Sequence, residues 1–466
     1  MTSITHTLPS PANARQARLS SLSAAAANAV KRSALTGQIL AWRGAVAVAV
    51  FIGITATLLA VPARAQPTAT AAPAVRTLVT SFRAAKEADP QYRAALSEKS
   101  INDSAVLSAR IAYAPSINYS KTQLETEANT RQTLTLTQPL LSADRWLTTR
   151  EADPRARFAD ATLVQREQDL AQRLVKAVTE IVRAREGLRV NDKRISLLDE
   201  QARRAQRMFE LNEGTITDQR DTAVRRQQAR ATELTLRTRL RVAENQFAAI
   251  VGTAPSPEAF KIADVPRPIA LGQLERYLDD GNETNPLLVN ARQAERLAEI
   301  GRQRAMAALL PNLNALAQQT TSSGRSSSYV GFNISFPLQG QTIVQVNSAA
   351  AQAERASELR RDTEQKLKVD IERLRAQVDS GQQELVIRKE AILSAELAVQ
   401  ANIKSQQGGI RSSVDVLNAI QALADVRNEY TNTAAALADD YLNLLLQSAV
   451  DPSVALEKVQ LSIFAN

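Results

Sequence analysis

From Leu170 the chain sets apolar or small residues at alternating steps of four and three, through Leu174, Ala177, Ile181, Ala184, Leu188, Asn191, Ile195, Leu198, Ala202 and Ala205 to Phe209. A shift of 197 positions gives a second series, Leu367, Ile371, Leu374, Val378, Gly381, Leu385, Arg388, Ile392, Ala395, Val399, Asn402 and Gln406, and most of both series is apolar or small. This is the spacing of a coiled-coil seam. Each run covers about 40 residues, or roughly 60 Å of helix at 1.5 Å per residue. A helix that long with one narrow apolar stripe needs partners alongside it over its whole length. The chain must therefore be elongated and mainly α-helical.

Other marks repeat at nearly the same offset. ADPQYRAAL (88–96) resembles TNPLLVNAR (284–292), and YAPSINYSKTQ (113–123) resembles LLPNLNALAQQ (309–319). The turn glycines Gly214 and Gly409 each follow a long helical pattern. The reading is an internal two-fold repeat, each half running helix, strand, strand, long helix, glycine turn, helix. The first repeat is 66–252: a helix over 75–112, strands at 116–125 and 131–139, a helix over 143–211 bent by Pro154, and one over 216–252. The second is 283–448: helix 283–310, strands 312–321 and 328–337, helices 341–406 and 412–448. Four prolines in TAPSPEAFKIADVPRPIALG mark a linker over 253–282, and 449–466 is a C-terminal tail.

Residues 1–65 carry the parts of a cleavable export signal. Six basic and no acidic residues flank the apolar run GAVAVAVFIGITATLLAV, and Ala63-Arg64-Ala65 follows as a cleavage site. A retained anchor is the alternative, since eighteen apolar residues can just span a bilayer. Cleavage would leave 51 basic against 48 acidic residues, a net of +3 instead of +9. Basic clusters such as Arg225, Arg226 and Arg230 then read as solvated helix faces, not as a nucleic-acid footprint.

The chemistry available is narrow. There is no Cys, and the only histidine is His6, inside the signal. Thiol nucleophiles, imidazole bases and the usual zinc and copper ligands are absent from the mature chain. No acidic cluster asks for carboxylate chemistry. The expectation is no enzyme, no cofactor and no metal.

Against this helical background stand RQTLTLTQP (131–139) and YVGFNISFP (329–337), in which apolar and polar residues alternate with the period of a strand. Four strands cannot close a barrel, and an open sheet in lipid has edges that cannot be satisfied. Spanning-length strands on an exported chain imply that several copies share one barrel. Two solvent-exposed hairpins capping a helical bundle are the alternative. The candidates for the lipid face are Ile117, Tyr119, Leu134, Leu136, Val330, Phe332, Ile334 and Phe336, with SSGRSSSY (322–329) as an extracellular loop.

The duplicated layout, the ADP and TNP helix starts, TLTLTQPLL, ISFPL, FELNEGTITD and GGIRSSVDVLNA together resemble the TolC-like outer-membrane channel-tunnel proteins over about 76–450. The resemblance implies an exit duct of type I secretion or tripartite efflux, placed in the Gram-negative outer membrane and reaching into the periplasm. It implies a homotrimer with a 12-strand barrel and an α-helical tunnel, in which the linker and tail help build a midway belt. The implied partners are a periplasmic adaptor, an inner-membrane transporter of ABC or RND type, and outer-membrane lipid, with no nucleic acid. A periplasmic coiled-coil adaptor or scaffold is the competing function. An adaptor should show many more strand signals.

The same resemblance assigns sites. Asp415 and Asn418 match two acidic positions that ring the periplasmic constriction, and Asn418 departs from the pattern. Arg411 matches a basic residue of a gate latch, with Asp218 as its acidic partner, while Gln406 replaces a tyrosine. Glu213, Gly214, Gly408 and Gly409 fall at the turns where an adaptor docks, and the glycines suit a left-handed reversal.

Overall fold

The computed structural model describes residues 77–123, 130–263, 267–322, 324–336 and 340–465. The expected signal segment 1–65 lies outside the described residues. In chain order the elements are α1 (Leu78–Ala88), α2 (Pro90–Arg110), β1 (Ser116–Gln123), β2 (Thr130–Leu141), α3 (Ala143–Arg150), α4 (Ala152–Glu210) and α5 (Ile216–Val251). There follow α6 (Leu274–Thr284), α7 (Pro286–Ala307), β3 (Asn312–Ser322), β4 (Arg325–Ser335), α8 (Gly340–Gln407), α9 (Ser413–Gln447) and α10 (Pro452–Ile463).

Three expected helical stretches are broken, each for a local reason, and two helices stand where a linker and a tail were expected. The helix over 75–112 divides at Asp89, which accepts from the Tyr92 N–H at 3.0 Å and caps α2. Pro90 has no N–H to continue the α1 ladder. Asn285 acts the same way before Pro286, accepting from the Leu287 N–H at 2.9 Å. Ahead of α4 the break falls at Glu151, because Pro154 cannot bond the carbonyl four residues back. The last third of the linker is the helix α6, and most of the tail is α10.

α4 has 59 residues and α8 has 68, so they are about 90 and 100 Å long. α4 pairs with α5, α8 pairs with α9, and α4 and α9 pack together between the two pairs. On their upper parts α7 lies against both long helices and α2 against α4. The seam residues Leu170, Leu174, Ile181, Ile371 and Val378 are fully buried. No helix among the described residues is long and apolar enough to cross a membrane.

At mid-length the linker and the tail close on one another. The Ala263 N–H donates to the Ile463 carbonyl at 3.0 Å and the Ala465 N–H to the Lys261 carbonyl at 2.8 Å. Arg185 on α4 donates to the carbonyls of Ser256, Pro257 and Ala259 at 3.3, 3.1 and 2.9 Å, and to Glu244 at 3.0 Å. Phe260 stacks obliquely on Phe247 at 5.7 Å. Gln460 of α10 accepts from the buried Leu78 N–H at 3.0 Å, fixing the start of α1 to the same girdle.

The four strands form one antiparallel sheet in the order β1-β2-β3-β4, with β1 and β4 at open edges. Pro139 lies in β2 beyond the end of β1 pairing at Thr137 but still level with Asn314 of β3, and a bulge follows before Leu141. β4 begins at Arg325 instead of 328, so most of the expected loop 322–329 is strand.

Candidate functional site

The sheet is inverted relative to one that covers a core. Directly paired residues share a face, and one row runs Ile117, Leu136, Ala317, Val330. Tyr119 and Leu134, Ala315 and Phe332, and Leu313 and Ile334 continue that face. Its apolar side chains are the exposed ones: Val330 is 84% exposed, Phe332 75% and Leu134 44%, with Leu136, Ile334 and Phe336 also open. Thr133, Thr135 and Thr137 on the other face are half-buried. A contiguous exposed apolar face marks an interaction surface, here without any protein layer over it.

At the opposite end from the sheet lie two helix reversals. In the first, the Glu213 and Gly214 N–H groups both donate to the Met208 carbonyl, at 2.8 and 3.0 Å. The left-handed residue is Asn212, at φ 59°, and not Gly214 as the sequence suggested. Gly214 serves close approach instead: a Cβ there would sit 2.9 Å from the Met208 Cβ and 3.2 Å from the Phe209 nitrogen. In the second, Gly409 takes φ 71° with nothing near its missing side chain, and the Ile410 N–H donates to the Ser405 carbonyl at 2.9 Å. Gly408 stays outside the left-handed region.

Each reversal is followed by a capped helix carrying one of the expected acidic residues. Asp415 accepts from the Ser412 N–H at 3.1 Å and the Ser412 hydroxyl at 2.9 Å, which closes a capping box on α9. Those bonds, with Arg411 nearby, hold its carboxyl below the usual range. On α5, Asp218 accepts from the Thr215 hydroxyl at 2.6 Å and from the Ser413 hydroxyl of α9. The Ser413 and Thr215 hydroxyls hold the Asp218 carboxyl below its ordinary value.

Within one chain the expected Arg411–Asp218 pair is not formed. Arg411 lies 4.0 Å from Asp415, one turn along, and Asp218 instead ties the two hairpins through Ser413. Asn418 is also engaged, its side-chain oxygen accepting from Arg225 of α5 at 3.0 Å. Gln406 accepts from Arg204 at 3.3 Å. Ser413 and Arg225 escaped the sequence reading because their contacts join positions 195 and 193 residues apart, for which no local pattern exists.

The tips and the sheet thus stand at opposite ends of long helices, the first a polar, locally paired junction and the second a bare apolar surface. Among the described residues no group of side chains could hold a metal ion.

Comparison with known proteins gives a consistent result. Residues 278–447 match the model of the outer membrane efflux protein family. The alkaline protease secretion protein AprF of Pseudomonas aeruginosa is 27% identical over 76% of this chain and 80% of its own. The proteases secretion protein PrtF of Dickeya chrysanthemi is 27% identical over 79% of this chain and 87% of its own. Among solved structures, the outer membrane protein VceC of Vibrio cholerae superposes with a TM-score of 0.68 at 16% identity, covering 79% of this chain and 95% of that one.

Proposed function

We propose that this chain, similar to outer-membrane efflux and type I secretion channels, is one of them, and that three copies of it share one twelve-stranded barrel and one helical tunnel. The chain is an exit duct of the outer membrane that extends into the periplasm, and not an enzyme. The single observation that carries the trimer is the sheet. Its apolar face is bare and both edges are open, which lipid tolerates only when neighbouring sheets close the ring. In that arrangement Leu134, Leu136, Val330, Phe332, Ile334 and Phe336 meet lipid, and the threonine face lines the lumen.

The internal repeat accounts for the matched layout, with 66–252 and 283–448 as its halves, 253–282 as the linker and 449–466 as the tail. The tips at Glu213-Gly214 and Gly408-Gly409 are the docking points of a periplasmic adaptor, which couples the duct to an inner-membrane transporter. Relatives named for protease secretion favour a protein cargo.

The gate is formed by the tip junction. Asp218 holds its own chain's α9 through Ser413, which leaves the half-exposed Arg411 for links between copies. Asp415 supplies a ring of three carboxylates, while Asn418 supplies none. Such exposed contacts are individually weak, so a partner that binds the open tips better can release them.

Single-channel conductance of the purified protein in a planar bilayer tests this reading, wild type beside Arg411→Ala plus Asp218→Ala. A small pore that widens in the double variant supports duct and latch together. An unchanged pore discards the latch, and no pore from folded protein discards the duct.

A further inference from the structure

The described strands contain three basic residues, Lys121, Arg131 and Arg325, and no Asp or Glu. Two of the three fall in a single cross-strand row. Arg131 of β2 pairs with Ser322 of β3, which pairs with Arg325 of β4. Directly paired residues point the same way, so both arginines share a face, about 10 Å apart across the intervening strand. That face is the polar one, since Arg131 continues the series Thr133, Thr135, Thr137. Lys121, level with Gln132, points to the apolar side and does not join the row.

The row lies at the end of the sheet remote from the helices, where β2 and β4 begin. Both arginines are exposed, and neither has an ion pair among the described residues. Elsewhere in the chain arginines are commonly paired, as Arg304 is with Asp144 and Glu151. The nearest acidic residues in sequence, Glu125 and Glu127, belong to the 124–129 connection outside the described residues.

We propose that Arg131 and Arg325 form a guanidinium ring inside the outer exit of the duct, which draws anionic polypeptide segments and other polyanions through it. This rests on the trimeric duct proposed above, in which two arginines per chain become six around one opening. Guanidinium groups stay charged at every physiological pH and donate in a planar fork that suits carboxylates. A ring of one sign in a confined aqueous lumen focuses its field on whatever passes. The periplasmic entrance carries Asp415, so the duct has opposite fixed charge at its two ends. A polyanion is repelled weakly on entry and held forward on exit.

The test uses the full-length protein in a planar bilayer, with poly-L-glutamate added on the side of the strand loops. Wild type should be blocked, and Arg131→Gln plus Arg325→Gln should raise the half-blocking concentration about tenfold or more. In a salt gradient the reversal potential of that variant should move towards cation selectivity. Arg131→Lys plus Arg325→Lys should keep the block. Ser322→Asp, which sets a carboxylate between the two guanidinium groups without removing either, should relieve it as the Gln pair does. Equal block in wild type, the Gln pair and Ser322→Asp would overturn the ring while leaving the duct intact. Absence of any wild-type conductance would instead remove the duct, and the ring with it.

Discussion

Arg173 on α4 donates to the Asp89 carboxylate at 2.6 Å, and that carboxylate, 3% exposed, is also the cap of α2. One buried charge therefore fixes where α1 ends, where α2 begins and how both lie on the long helix. Burial pushes the Asp89 carboxyl up, but the Arg173 guanidinium and the Tyr92 and Gln91 N–H groups together hold it below the ordinary value. The contribution to stability is thus present above the ordinary aspartate range and is lost as pH falls through the lowered value. Asp89→Asn should cost about 2 kcal/mol at neutral pH and flatten the acid limb of a denaturation series.

Asp439 should behave in the opposite sense. Burial of this α9 carboxyl against α4 pushes it up to about 6, with Asp440 and Glu180 adding to the rise and Arg183 and Lys176 opposing it. A raised carboxyl favours the folded state while protonated, so stability falls as pH rises from about 4 to about 6. Asp439→Asn should raise the melting temperature at pH 7.5 and remove that slope. Thermal denaturation in detergent at several pH values reads both.

The inverted sheet makes a paired prediction. Val330→Arg sets a charge mid-strand on the apolar face and should destabilise the assembled barrel by about 2–4 kcal/mol. Thr135→Arg, on the opposite face, should assemble as wild type does. Urea titration of lipid-reconstituted protein separates them, and equal loss in both would argue against a lipid face.

At the tips, Ser413→Ala should raise the open probability of the channel, because Asp218 loses its bond to the second hairpin. The Asp218 carboxyl is held low, so in wild type the tie persists at neutral pH and weakens only as acid protonates it. Opening in acid should therefore be steep in wild type and shallow in Ser413→Ala. Single-channel recording between pH 3 and pH 7 measures it.

Much of the architecture was legible because it is written in periodic patterns. The seam at Leu170, Leu174 and Ile181 is a three-four repeat, and Val330, Phe332 and Ile334 alternate as a strand must. What escaped was set by contacts, not by period. β4 starts early because Ser326 and Ser327 pair with Thr321 and Thr320 in register, although neither is a strand former. The left-handed position fell to Asn212, not to the more obvious Gly214, because Gly214 is needed for its lack of a side chain. Arg411 found Asp415 one turn away rather than Asp218 across the junction.

The girdle at mid-height gives the long helices a mechanical character. Arg185, clamped to three linker carbonyls, stands 25 residues before the end of α4, or about 38 Å from the tip. A helix gripped there is a lever with a fulcrum. A swing of about 5° below the grip carries the tip about 3 Å, while the arm above it, and the sheet it bears, need not move. In the proposed duct, an adaptor pulling at the base would thus do its work without loosening the rim proposed to sit in lipid.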